Sequence, residues 1–138
     1  MPPAPRFSRL GLLLAVTATW VGGAVAAHGR PAAPGDPDKG KVVFEKCAAC
    51  HALDEAVTDG PSLTGVFGRT AGTRDDYRYS PAMARSRIVW DEATLDAFVA
   101  DPQALVRGNR MSFAGIPEKP DRDDLIAYLR QATKPAAR

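Results

Sequence analysis

The sequence predicts an all-α domain of three main helices joined by long loops. Three observations carry that expectation. Helical periodicity with capping residues appears in three separated segments. No sustained alternation of apolar and polar residues marks a strand. Glycine and proline, twelve of each, gather between the periodic segments and read as turns. A chain of 138 residues has room for one domain with one core.

Residues 1–27 read as a signal peptide. Arg6 and Arg9 make a positive start with no acid, and no charge follows from Leu10 to Ala27. The apolar run Leu10–Val16 precedes small residues, and both Ala24-Val25-Ala26 and Val25-Ala26-Ala27 fit a cleavage box. The alternative is an uncleaved anchor, since 18 uncharged residues are just long enough to span a bilayer. Thr17, Thr19, Gly22 and Gly23 dilute the second half and favour cleavage. The expected location is the periplasm, with the protein membrane-anchored if the segment stays. Removing it leaves 16 basic against 16 acidic residues. A near-neutral domain argues against a nucleic-acid partner, which requires a basic excess on one face. Export also puts both cysteines in an oxidising compartment.

Residues 28–35, rich in Pro, Gly and Ala, read as a linker, and a domain is expected over 36–134 with a tail at 135–138. Asp36 can cap a helix whose first position is Pro37, where the missing N–H does no harm. Val43, Phe44 and Cys47 share a face, so the helix is expected over Asp38–Cys50. His51 to Pro81, with Gly60-Pro61, Gly65, Gly68 and Gly72, reads as loop. Asp91 caps a second helix with Leu95, Phe98 and Val99 at helical spacing, stopped by Asp101-Pro102. Arg107 to Pro117 is loop again. The last helix is expected from about Asp121, with Asp121, Asp123 and Asp124 in its first turn and Leu125, Tyr128 and Leu129 on its apolar face. Three helices bury such long loops poorly, and loops of this length point to function. A large apolar group in the middle gives them a surface to pack on.

Cys47-Ala48-Ala49-Cys50-His51 supplies that group, because C-x-x-C-H is the pattern of c-type haem attachment. Two thiols three residues apart on a helical turn lie on one face. They can meet the two vinyl groups on one haem edge as thioethers, and the next residue, His51, then falls under the iron. Its second ring nitrogen is free to donate to a backbone carbonyl. A thioredoxin-like dithiol needs a βαβ setting, which is not visible. Half a zinc site would need more partners than His28, the one other histidine. A simple disulfide leaves the trailing histidine unexplained. The iron's sixth ligand could come from His28, Met83, Met111 or a lysine. A methionine is by default a core filler. Position favours Met111 over Met83, because a free loop between two helices can lay sulfur onto iron.

From Gly35 to about Lys134 the chain resembles the class I c-type cytochromes: mitochondrial cytochrome c and its small soluble bacterial relatives. Gly35-Asp36 through Gly40 and Phe44 is similar to the family's first helix, and Cys47 to His51 to its attachment site. Gly60-Pro61-Ser62-Leu63, Phe67-Gly68-Arg69 and Gly72 are similar to its haem-packing loop, and Trp90 stands before the middle helix as in the family. Met111-Ser112-Phe113-Ala114-Gly115-Ile116 resembles the methionine loop, and Asp124 to Leu129 the last helix. The resemblance implies the single-haem cytochrome c fold, with loops wrapped around one haem c attached through Cys47 and Cys50. It implies His51 and Met111 as axial ligands and the Pro61 carbonyl as the group that orients His51. It implies Arg69, Tyr79 and Trp90 as partners of a buried propionate, Phe113 beside the haem, and a crossing of Gly40 and Phe44 against Leu125 and Tyr128.

The sequence also departs from mitochondrial relatives. Phe98 stands in place of a tyrosine, Met83 of an asparagine, Arg107 of a proline and Asn109 of a threonine, and the loop between His51 and Gly60 is shorter. Lys46, Arg110 and Arg107 keep charge near the haem edge, while Gln103 and Ala104 replace lysines. The expected function is that of a monomeric periplasmic one-electron carrier, not an enzyme. It would run between a cytochrome bc-type complex or dehydrogenase and a terminal oxidase or photosynthetic reaction centre, docking near Lys46, Arg107 and Arg110. The alternatives are a dedicated cytochrome subunit of one periplasmic dehydrogenase, and a peroxide- or gas-binding haem protein; for the latter no distal acid–base pair is evident.

Overall fold

A computed structural model describes residues 34–56 and 58–134, all within one compact unit. The expected signal segment, all but the last two residues of the expected linker, and the 135–138 tail lie outside the described residues. Five helices follow in order: α1 (Pro37–Ala48), α2 (Pro81–Arg85), α3 (Glu92–Ala100), α4 (Pro102–Leu105) and α5 (Lys119–Ala132). Among the described residues the only β-type pairing is an isolated bridge between Thr70 and Val89. None of the described helices is long and apolar enough to cross a membrane.

The helix starts follow from capping chemistry. Asp36 accepts from the amides of Asp38 (3.0 Å) and Lys39 (3.4 Å), with Pro37 at the first position. Asp91 and Thr94 form a reciprocal capping box at α3: each side chain accepts from the other's amide at 2.8 Å. Ser80-Pro81 and Asp101-Pro102 repeat the cap-plus-proline pattern at α2 and α4. Three expectations need correction. Pro102 does end α3, but it also opens α4, since proline suits a first helical position as well as a stop. The attachment helix ends at Ala48, two residues before Cys50. The last helix begins at Lys119, because Pro120 sits in its first turn at no hydrogen-bond cost; Asp121 is then in the first turn and Asp123 and Asp124 lie beyond it.

α1 and α5 pack across each other at Gly40. A Cβ there would collide with the Asp124 carbonyl and lie 2.8 Å from Tyr128 Cβ, so only glycine allows the approach. One turn on, the Phe44 and Tyr128 rings meet at 5.6 Å. The Asp36 amide also donates to Asp124 Oδ1 at 2.6 Å, so the start of α1 is fixed to α5. Phe44 packs with Val99, Ile116, Leu125 and Leu129, and burying each such side chain contributes roughly 1.5–3 kcal/mol. A second cluster joins Val66, Ala71, Trp90, Leu95, Phe98, Val106 and Ile126. The loop from His51 to Ser80 hangs on these clusters through backbone bonds, among them Gly68 N to Trp90 O (2.7 Å) and Trp90 N to Arg69 O (2.9 Å).

Candidate haem site

The two clusters leave a cavity of about 390 Å³ between them. α1 supplies one wall. The amides of Cys50 and His51 both donate to the Cys47 carbonyl, at 3.0 and 2.9 Å, so the backbone makes one more turn after the helix ends. That turn brings Cys47, Cys50 and His51 to the same cavity. Cys47 is half-buried and Cys50 exposed. Burial pushes the Cys47 thiol above its ordinary pKa, with neighbouring Lys46 acting in the opposite direction.

His51 Nδ1 lies 2.8 Å from the Pro61 carbonyl oxygen. A carbonyl can only accept, so Nδ1 carries the proton of this bond, which leaves Nε2 as the nitrogen of the neutral ring that can bind a metal. Gly60 lets the two residues meet: a Cβ there would lie 2.6 Å from His51 Cε1. Gly60 also donates to the Cys50 carbonyl at 2.7 Å and Thr58 Oγ1 to the same oxygen at 2.5 Å, closing the loop back onto the motif.

The loop after α4 brings Met111 and Phe113, both half-buried, to the same cavity. Met83, on α2, lines the same cavity, and its amide is held by Ser80 Oγ at 3.1 Å. Arg69, Tyr79 and Trp90 line it as well. The Arg69 guanidinium donates to the carbonyls of Thr64 (2.7 Å) and Ser62 (3.1 Å) and has no carboxylate partner among the described residues. Burial lowers its pKa, and burial raises that of the Tyr79 phenol. A half-buried cation beside a cavity, bonded only to neutral oxygens, suits an incoming anion. Of the three cations expected at the rim, Lys46 and Arg110 border the cavity and Arg107 does not. All nine residues proposed from sequence as haem contacts meet at this one cavity.

Sequence reasoning missed part of the lining. Val66, Val99 and Leu125 complete the apolar wall beside Leu63 of the expected haem-packing loop, and Asn109 and Ser80 are polar members. The apolar ones carry only the signal of core residues. Asn109, two residues before Met111, carries the weak signal of a side chain able to bond the backbone locally.

The residues fit a haem. Two thiols, an imidazole and the methionine thioethers line one cavity, the remaining surface is mainly apolar, and the half-buried Arg69 cation has no carboxylate partner among the described residues, which suits an incoming acid group. The comparisons agree. Residues 37–133 match the family model described as cytochrome c. The chain is 46% identical over 99 residues to cytochrome c2 of Rhodoblastus acidophilus, covering 70% of this chain and 92% of that protein. It is 43% identical over 102 residues to cytochrome c-550 of Nitrobacter winogradskyi, covering 72% and 94%. Among solved structures, cytochrome cH from Methylobacterium extorquens matches with a TM-score of 0.67 at 42% identity, over 70% of this chain and 98% of that one. The match runs from the first helix to the end of the last and takes in the C-x-x-C-H motif: the chain belongs to the cytochrome c family, whose cofactor is covalently bound haem c.

Proposed function

We propose that this cytochrome c is a diffusible one-electron carrier of the periplasm. It takes electrons from a cytochrome bc-type complex or a dehydrogenase and passes them to a terminal oxidase or photosynthetic reaction centre. Cys47 and Cys50 would hold its haem c, and His51 and Met111 would supply the ligands of the iron. The observation that carries this reading is the 2.8 Å bond from His51 Nδ1 to the Pro61 carbonyl, with Met111 lining the same cavity. Bound haem c supplies a reversible ferric–ferrous couple.

The chain's residues do the rest. The Pro61 carbonyl holds the imidazole in one tautomer and one orientation. Met111 offers a soft thioether, which favours the ferrous state and raises the potential. Arg69, with Tyr79 and Trp90, offsets the charge of a propionate drawn out of water. Phe113, Leu63 and Val66 keep water from the cavity, so little solvent must reorganise when the charge changes. Lys46, Arg107 and Arg110 form the docking face, and the contact is small and brief, as redox encounters usually are.

The test is shuttling between separate membranes. Holoprotein added to a mixture of vesicles bearing a bc-type complex and vesicles bearing a terminal oxidase should restore quinol-driven oxygen uptake. Failure to restore it, together with tight co-purification with one dehydrogenase, would replace the diffusible carrier by a dedicated subunit.

A further inference from the structure

The loop that carries Met111 is tied down at both ends. At its far end Arg122, with an 11% exposed side chain, donates from Nη1 to the carbonyls of Ile116 (2.9 Å) and Pro117 (2.7 Å), and from Nε to Asp96 Oδ1 on α3 (2.8 Å). At its near end stands Asn109, only 7% exposed. Its Nδ2 donates to the carbonyls of Pro102 and Val106, each at 2.8 Å, and its Oδ1 accepts from the Met111 amide at 2.9 Å. Both amide hydrogens and the carbonyl oxygen of this side chain are therefore used, and the partners allow only this orientation of the amide. Gln103, exposed on α4, closes the same turn from outside. Its Nε2 donates to the Asn109 carbonyl and its Oε1 accepts from the Gly108 amide, both at 3.1 Å.

We propose that Asn109 is a positioning residue for Met111: with Gln103 it fastens the methionine loop to α4, and opening of this hydrogen-bonded turn sets how readily a small ligand displaces Met111. The inference rests on Met111 being the sixth ligand. Asn109 Oδ1 is the partner of the Met111 amide among the described residues, so losing it leaves that amide unpaired beside an apolar cavity. An unmade bond of this kind costs more than a typical bond contributes. The loop then spends more time open. An external ligand that binds only the open form gains apparent affinity in proportion to the open fraction.

The experiment titrates imidazole into ferric holoprotein and reads the absorption spectrum. In parallel, amide hydrogen exchange is followed at Met111. Asn109→Ala strips three side-chain bonds and should tighten apparent imidazole binding about tenfold, with Met111 amide exchange faster by a similar factor. Asn109→Ser restores an acceptor two residues before Met111 but cannot reach the Pro102 carbonyl, and should recover most of the change. Gln103→Leu is a surface substitution that should fold whatever Asn109→Ala does, and it should tighten binding about threefold. Ile126→Val, a buried truncation outside the cavity lining, controls for general destabilisation and should leave imidazole binding within about twofold.

Met111→Ala keeps the two claims apart. If Met111→Ala binds imidazole far more tightly while Asn109→Ala, Asn109→Ser and Gln103→Leu all match the parent, the positioning role is overturned and the ligand assignment stands. If Met111→Ala itself binds no more tightly, the ligand assignment falls and takes the positioning role with it.

Discussion

Pro61 offers His51 nothing but lone pairs, and that decides which imidazole nitrogen keeps its proton. Two methionines, Met83 and Met111, line the same cavity as His51. Met83 sits on a short helix whose Ser80 cap and Pro81 start fix its backbone, whereas Met111 sits on a loop. Met111→Ala should therefore abolish the weak far-red ferric absorption of iron–sulfur coordination. It should also lower the potential, by on the order of 0.1 V within the roughly 0.8 V range that axial ligands command. Met83→Ala should keep the absorption, and a reversed pair of spectra would exchange the two roles. The attachment motif was legible because covalent chemistry demands fixed spacing, and five consecutive residues state it. Asn109 and Gln103 were not. Their bonds span a loop without periodicity, and nothing in the order of residues says that the Gln103 amide folds back onto Gly108 and Asn109. Arg122 was equally hidden, since nothing in the order of residues shows its side chain folding back to the carbonyls of Ile116 and Pro117.

At the scale of elements, the crossing of α1 and α5 rests on one missing side chain. Gly40→Ala forces the helices apart at the Asp124 carbonyl, and overpacking of this kind costs about 1–3 kcal/mol or more. Urea unfolding of the holoprotein should show a lower midpoint at an unchanged slope, and an unchanged midpoint would mean that the crossing is loose. The α3 capping box makes a different prediction. Backbone and side-chain bonds from Thr94 hold the Asp91 carboxyl below its ordinary pKa. A depressed carboxyl contributes stability above its unfolded pKa of about 3.9 and loses it as pH falls through the folded value. Asp91→Asn keeps a capping oxygen but cannot titrate, so its stability should change less than that of the parent as the pH is lowered below about 4. Equal acid sensitivity in thermal melts would place the titrating group elsewhere. The long helices were readable from period and caps; the start of α5 shifted by two residues because Pro120 is tolerated in a first turn, and α1 ended two residues before Cys50. α2 and α4, of five and four residues, are too short to show a period, although Ser80-Pro81 and Asp101-Pro102 carry the same start signal as Asp36-Pro37.

At the scale of the whole molecule, among the described residues, Arg74 pairs with Glu55 and Asp76, Lys119 and Arg122 with Asp96, and Arg130 with Glu92. Lys46, Arg107 and Arg110 have no carboxylate partner there, but neither have Arg85 and Arg87, so position and not lack of pairing selects the proposed docking cations. Lys46 and Arg110 border the cavity, and Arg107 stands on the loop that leads to Met111. On a nearly neutral domain such local charge governs steering. The Arg110 guanidinium also donates to the Arg78 carbonyl, so reversing it would disturb the loop as well as the charge. The cleaner double variant is Lys46→Glu with Arg107→Glu. It should slow electron transfer to an acidic partner about tenfold at low salt, and the difference should shrink as screening shortens to about 8 Å at physiological ionic strength. Arg85→Glu with Arg87→Glu is the control, and equal slowing by that pair would move the portal. The pairing was only partly legible, because the sequence shows which residues are charged but not which are paired. A six-coordinate iron that exchanges one electron underlies the proposed function, and a redox titration followed by absorption tests it most directly. The expected result is a single low-spin transition with a slope of about 59 mV per decade and the far-red ferric band in the oxidised form. A high-spin ferric spectrum with an open coordination position would contradict it.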